Sequence, residues 1–161
     1  MIQNNPTDKG QHIQDLRDAI EHRATWFYNL VEEGLKRGLD YDFARAAIQG
    51  CGCFHGKNKY TPTDDLVAFS REFANQNVQD IFEMDVDARP EAMKIEFHYC
   101  PLVSAWRKLT DDEEKIAKLC DIAMDGDRGI ASQFPDFEFS LGKTIAKGDN
   151  ICEVCFKKVQ K

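Results

Sequence analysis

Four short runs of this chain gather the residue types that do chemistry. In Glu96-Phe97-His98-Tyr99-Cys100-Pro101-Leu102-Val103-Ser104-Ala105-Trp106 an alternating pattern passes into a helical one at a cysteine followed by a proline. If Tyr99 closes a strand, Cys100 takes the helix N-cap and Pro101 the first helical position, where its missing N–H costs nothing. A thiol there faces unpaired backbone N–H groups and the positive end of the helix dipole, which lower its pKa and favour a nucleophilic thiolate. His98, two residues earlier on a strand, projects from the same face and would serve as base or hydrogen-bond donor. The same residues also fit a buried thiol filling a corner beside a satisfied histidine. One residue of strand register reverses the direction of His98.

The second run is Leu119-Cys120-Asp121-Ile122-Ala123-Met124-Asp125-Gly126-Asp127-Arg128-Gly129. Ile116, Leu119 and Ala123 make a helical core face, Cys120 borders it, and Asp121 lies one helical step further round. Arg128 falls at the helix exit, where it either complements the C-terminal dipole or clamps a substrate carboxylate with two hydrogen bonds. Asp125 and Asp127 read as solvated. In the third run, Gly148-Asp149-Asn150-Ile151-Cys152-Glu153-Val154-Cys155, strand alternation puts Cys152 with Val154 and Phe156 and sends Cys155 to the other face, unlike a zinc knuckle. The fourth, Cys51-Gly52-Cys53-Phe54-His55, would line up three metal ligands if extended, but structural zinc needs a further one, for which Cys152 or Cys155 are the candidates. A glycine-relaxed helix end is the other reading, and neither a metal nor another cofactor is expected. No phosphate loop, H-E-x-x-H helix or G-x-S-x-G elbow occurs.

The elements that must position these residues follow from periodicity. Apolar residues Ile13, Leu16, Ile20, Phe27, Leu30, Val31 and Leu35 predict a long amphipathic helix over residues 9–37, with Gly38 as its stop. A second helix is expected from Tyr41 to about Gly50, dissolving into the Cys51–Cys53 run, and a third from a Thr61-Pro62 cap through Leu66, Phe69 and Phe73 towards Phe82. Ile95, Phe97 and Tyr99 alternate as a strand, and residues 102–109 read as a short helix. Thr110 to Glu113 has capping-box spacing for a helix reaching Met124 and closed by Gly126 and Gly129. Two further alternating runs, residues 137–141 and 151–156, flank a turn at Lys147-Gly148-Asp149-Asn150. The expected fold is α+β, a helical N-terminal layer packed on a small antiparallel sheet. A single domain is expected over 1–161, with residues 1–90 mainly helical and 91–161 a strand, two helices and a hairpin.

The totals limit the partners. A formal charge of −7 opposes a phosphate-binding surface, so nucleic acid is excluded as an expected partner, and no stretch approaches the roughly 20 apolar residues of a membrane span. Met1-Ile2-Gln3-Asn4-Asn5-Pro6 shows no basic start and no apolar run, so the six cysteines are expected as reduced thiols in the cytoplasm.

The ordered set Cys100-Pro101, Trp106, Leu119-Cys120-Asp121, Gly126-Asp127-Arg128-Gly129, Thr144-Ile145-Ala146, Gly148-Asp149 and Cys152 resembles the L-2-amino-thiazoline-4-carboxylic acid hydrolase family. The resemblance spans roughly residues 96–156. It implies a hydrolase that opens the thiazoline ring of L-2-amino-thiazoline-4-carboxylate to N-carbamoyl-L-cysteine, a step from a cyclic precursor towards cysteine. For that reaction Cys100 is the candidate nucleophile, His98 the proton carrier, and Asp121 or Asp149 the holder of the amidine nitrogens. Arg128 would bind the carboxylate, with Cys120, Cys152 and Trp106 lining the site. In the rival mechanism Asp121 activates water and Cys100 is structural. The alternative function is a non-catalytic domain whose thiol-lined pocket binds a small molecule or a metal. The long N-terminal helix is also a candidate surface for homo-oligomer formation.

Overall fold

The computed structural model describes residues 1–159. Its helices are α1 (Gln11–Lys36), α2 (Asp42–Asn58), α3 (Leu66–Phe73), α4 (Gln76–Phe82), α5 (Pro101–Arg107), α6 (Glu113–Ala123) and α7 (Asp125–Ala131). The strands β1 (Met84–Ala88), β2 (Ala92–Phe97), β3 (Phe137–Leu141) and β4 (Cys152–Lys158) form one antiparallel sheet in the order β1-β2-β4-β3. This is the expected α+β arrangement. None of the helices among the described residues is long and apolar enough to cross a membrane.

The sheet shows two chemically different faces because alternation assigns them. Met93, Ile95, Val154 and Phe156 are buried on the inner face, where Phe69 of α3 meets Phe156 and Phe137 at ring-centroid distances of 5.2 and 5.4 Å. Asp85, Lys94, Glu96, Glu153 and Cys155 occupy the other face. Glu96 and Glu153 oppose each other in register, and Lys94 bridges both at 2.8 Å, relieving a like-charge pair.

Several boundaries differ from the periodicity. Strand β1 was not expected: the third helix was projected towards Phe82, but Asn75 caps a separate α4, and the chain reverses at Glu83, in the left-handed region with φ 52°, before entering β1. Thr61-Pro62 caps nothing. Instead, Asp65 accepts from the N–H groups of Val67 and Ala68 and begins α3. Helix α2 does not stop near Gly50; it runs to Asn58 because Gly52 and Gly56 are helical contact points rather than breakers. Gly126 and Gly129 likewise lie inside α7 rather than ending α6.

Those glycines explain how α7 is held. A Cβ on Gly52 would stand 2.0 Å from the Gly126 carbonyl oxygen, and one on Gly129 would stand 2.5 Å from that of Gln49. The two backbones therefore touch. Two apolar cores result. One gathers Ala24, Val31, Val103, Trp106, Ile116 and Leu119 among the helices; the other gathers Phe69, Phe73, Ile95, Phe134, Val154 and Phe156 against the sheet.

Candidate active site

A cavity of about 410 Å³ occupies the seam between the two cores. Cys100, Cys120 and Cys152 all line it, so three thiols scattered along the chain converge. Each is delivered by a different element. Cys100 is the N-cap of α5, Cys120 lies on the buried face of α6, and Cys152 opens β4. The N-terminal segment fixes the first of them, because the Asn4 side chain accepts from the Cys100 N–H at 2.8 Å and donates to the Cys100 carbonyl at 2.8 Å. Trp106 forms part of the wall, its indole N–H donating to the Ala24 carbonyl at 3.1 Å.

Burial opposes the thiolate expected at Cys100. Burial pushes its thiol up to about 11, against the downward pull of the Val103 and Leu102 N–H groups and of Arg23. The helix it caps has seven residues, and desolvation outweighs what its few N–H groups supply. Burial and the Cys100 charge raise Cys152 to about 12, although the Ile145 N–H donates to its sulfur at 3.2 Å. Cys120 is raised well above the ordinary thiol value, first by burial and then by the other two cysteines. The cavity therefore presents three neutral S–H groups at pH 7. With iodoacetamide at pH 7.5, exposed Cys51 should alkylate first, and Cys100 and Cys152 roughly a hundredfold more slowly. Peptide mapping that finds Cys100 labelled as fast as Cys51 would show a native thiolate there.

His98 does not share a face with Cys100. Strand β2 ends at Phe97, and His98 and Tyr99 donate their N–H groups to Glu83 and Phe82 as the chain bends away. Alternation cannot be extended through that bend. The His98 side chain is exposed on the outer side, with Nε2 2.9 Å from Asp85 Oδ2. Asp85, Glu96 and His98 are the group of potential metal ligands found among the described residues. The Cys51, Cys53 and His55 run forms no such group: helical turns separate those side chains, and Cys53 contacts Ser132 Oγ at 3.6 Å.

Asp121 and Arg128 are likewise engaged elsewhere. Arg128 donates to the Asp121 carbonyl at 2.9 Å, to Asp121 Oδ1 at 3.0 Å and to Asp125 Oδ1 at 2.6 Å. Arg45 of α2 binds the same two carboxylates, Asp125 at 2.9 Å and Asp121 more closely. Burial alone would raise the Asp121 pKa, but Arg45 and Arg128 outweigh it and hold the carboxyl below its usual range. Two arginines and two aspartates thus tie α2, α6 and α7 together. Asp125 is buried within this network rather than solvated. Asp149 accepts from the Thr144 N–H at 2.9 Å and shapes the loop before β4 without lining the cavity.

The polar groups that do reach the cavity were largely missed. Asp127, expected in solvent, lines it, and burial pushes its carboxyl up to about 6 despite the opposing charges of Arg128 and Arg23. Its position was legible in one respect, since Asp127 shares a helical face with Ile130 and Ala131 once 125–131 is taken as a helix. Arg23 follows Ile20 by three and precedes Phe27 by four, an arginine on the apolar stripe of α1. It lines the cavity and makes no ion pair among the described residues. Thr144 is buried in the wall, and among the described residues its Oγ1 has no hydrogen-bond partner.

The arrangement defines a small α+β protein with a mostly apolar cavity and one carboxylate whose burial lifts its pKa to about 6. A family model described as L-2-amino-thiazoline-4-carboxylic acid hydrolase matches residues 17–156, and the chain belongs to that family. No curated protein matches it. Among solved structures, the chain is similar in fold to a trafficking protein particle complex subunit 3 from Naegleria fowleri, covalently bound to palmitic acid. The TM-score is 0.57 and the identity 14%, over 87% of this chain and 95% of that one.

Proposed function

We propose that this chain hydrolyses L-2-amino-thiazoline-4-carboxylate, or a related small cyclic amidine, to N-carbamoyl-L-cysteine or its analogue. The observation that carries this reading is Asp127, a carboxylate facing the cavity with its pKa lifted to about 6. A base with that value is ionised at pH 7 yet still accepts a proton readily. Asp127 takes a proton from water as the oxygen adds to the carbon between ring nitrogen and ring sulfur, and passes it to the ring nitrogen. The tetrahedral adduct then returns its hydroxyl proton to Asp127, the carbon–sulfur bond breaks, and the departing sulfur collects that proton. One water is consumed and the urea and thiol of the product are formed. Arg23 is the cation for the carboxylate, and the neutral thiols of Cys100, Cys120 and Cys152 donate weak hydrogen bonds to the ring. Water attack is favoured over covalent attack by Cys100 because the thiol is protonated. Asp121, Arg128 and Asp149 act as positioning residues.

A second reading, a non-catalytic domain holding an apolar small molecule, draws on the apolar walls and on the palmitic acid carried by the protein of similar fold. Purified protein incubated with L-2-amino-thiazoline-4-carboxylate should release N-carbamoylcysteine, followed by mass-resolved chromatography. Arg23→Gln should raise KM on the order of tenfold with kcat little changed, the mark of lost ground-state binding. Absence of product from folded wild type, with this compound and with its N-alkyl analogues, rejects the hydrolase in favour of the second reading.

A further inference from the structure

The cavity is larger and more apolar than the parent thiazoline requires. At about 410 Å³ it lies in the range of roughly 300–1,000 Å³ that accommodates drug-sized ligands, whereas the parent substrate is one five-membered ring bearing a carboxylate and an amino group. Arg23, Lys59, Tyr60, Asp127 and Thr144 are the polar groups of its lining beside the three thiols. Ile20, Phe73, Val78, Ile81, Phe82 and Met84 add apolar side chains to the same lining, four of them from α4 and the start of β1. Protein interiors close to crystal-like density when nothing prevents it, and apolar stretches of a cavity wall favour apolar parts of a ligand. Thr144 adds a second sign of an occupant, a buried hydroxyl in the wall whose oxygen has no partner among the described residues.

We propose that the substrate of this chain is a thiazoline carboxylate, or a like cyclic amidine, that carries an aliphatic or aromatic arm, with the ring at Arg23 and Asp127 and the arm against the α4 and β1 wall. The inference rests on the hydrolase reading for the chemistry and on the cavity for the arm. In this arrangement Val78 and Ile81 determine specificity and the polar groups determine reactivity. Burial of the arm makes longer members bind more tightly without changing the bond that breaks.

The test uses 2-alkylamino-thiazoline-4-carboxylates with hydrogen, methyl, butyl and octyl on the exocyclic nitrogen, measured for kcat/KM and, by calorimetry, for Kd. A gain of at least about tenfold from hydrogen to butyl in both quantities is expected. Val78→Trp should abolish that gain, and Ile81→Phe provides an independent narrowing if the first variant does not fold. Equal kcat/KM along the series, or a preference for the parent, overturns the arm and leaves the hydrolase reading intact. Graded binding without turnover of any member removes the hydrolase and keeps the arm site. A fatty acid retained through purification, found by mass spectrometry and blocking every member, overturns the proposal by assigning the wall to a lipid.

Discussion

Asp127→Asn is expected to lower kcat/KM by about 10²–10⁴-fold and, at the same time, to stabilise the protein at neutral pH. The first effect follows because an amide accepts no proton from water. The second follows from linkage. Asp127 ionises near 3.8 without the fold and near 6 within it, so between those values the native state binds the proton more tightly. Stability is therefore highest below about pH 4 with respect to this group, falls as the pH rises to about 6, and stays reduced above. The full shift corresponds to about 1–3 kcal/mol. Urea denaturation at pH 7.5 should give a higher midpoint for Asp127→Asn, and the difference should shrink at pH 4. Wild-type kcat/KM should decline on the acid side with an apparent pKa near 6. A variant that keeps more than a tenth of the activity, or that is less stable at pH 7.5, would remove Asp127 as the base.

Gly52→Ala should destabilise the fold by about 3 kcal/mol or more, whereas Gly50→Ala, two residues earlier in the same helix, should stabilise it by up to about 1 kcal/mol. The difference is geometric. A Cβ at Gly52 meets the Gly126 carbonyl at 2.0 Å, backbone that no rotamer change can move, while a Cβ at Gly50 meets nothing within 4 Å. Because α7 carries Asp127 and the Arg128 end of the ion network, any outward shift of that helix also displaces the candidate base. Activity should thus fall with stability in Gly52→Ala and not in Gly50→Ala. Comparable urea midpoints for the two variants would mean that α2 and α7 do not approach this closely.

Legibility varied with the kind of signal. Long apolar periodicity placed α1 within two residues at its N-terminal end, Gln11 against Lys9, and alternation assigned Cys152 inward and Cys155 outward correctly. Short elements escaped. The α4 cap at Asn75 and the entry to β1 depend on single residues, Asn75 and Glu83, inside a stretch whose apolar spacing also suits one longer helix. The Cys51–His55 run suggested a metal because an extended backbone would line up its three ligands, yet it is helical, and its Gly52 is a close contact point for α7.

By itself the sequence determined the fold class, the family motifs and the thiols Cys100, Cys120 and Cys152, because periodicity and residue type are local properties that survive without neighbours. Tertiary structure alone decided the surroundings of those residues. It brought the three thiols to one cavity, buried them so that they stay protonated, spent Asp121 and Arg128 on each other and on Arg45 and Asp125, and turned His98 outward at the end of β2. It also put Asp127 where desolvation lifts its pKa. Ionisation and reactivity are set by the atoms that surround a group in space, and those atoms come from α1, α2, α6, α7 and β4, which no window along the chain contains.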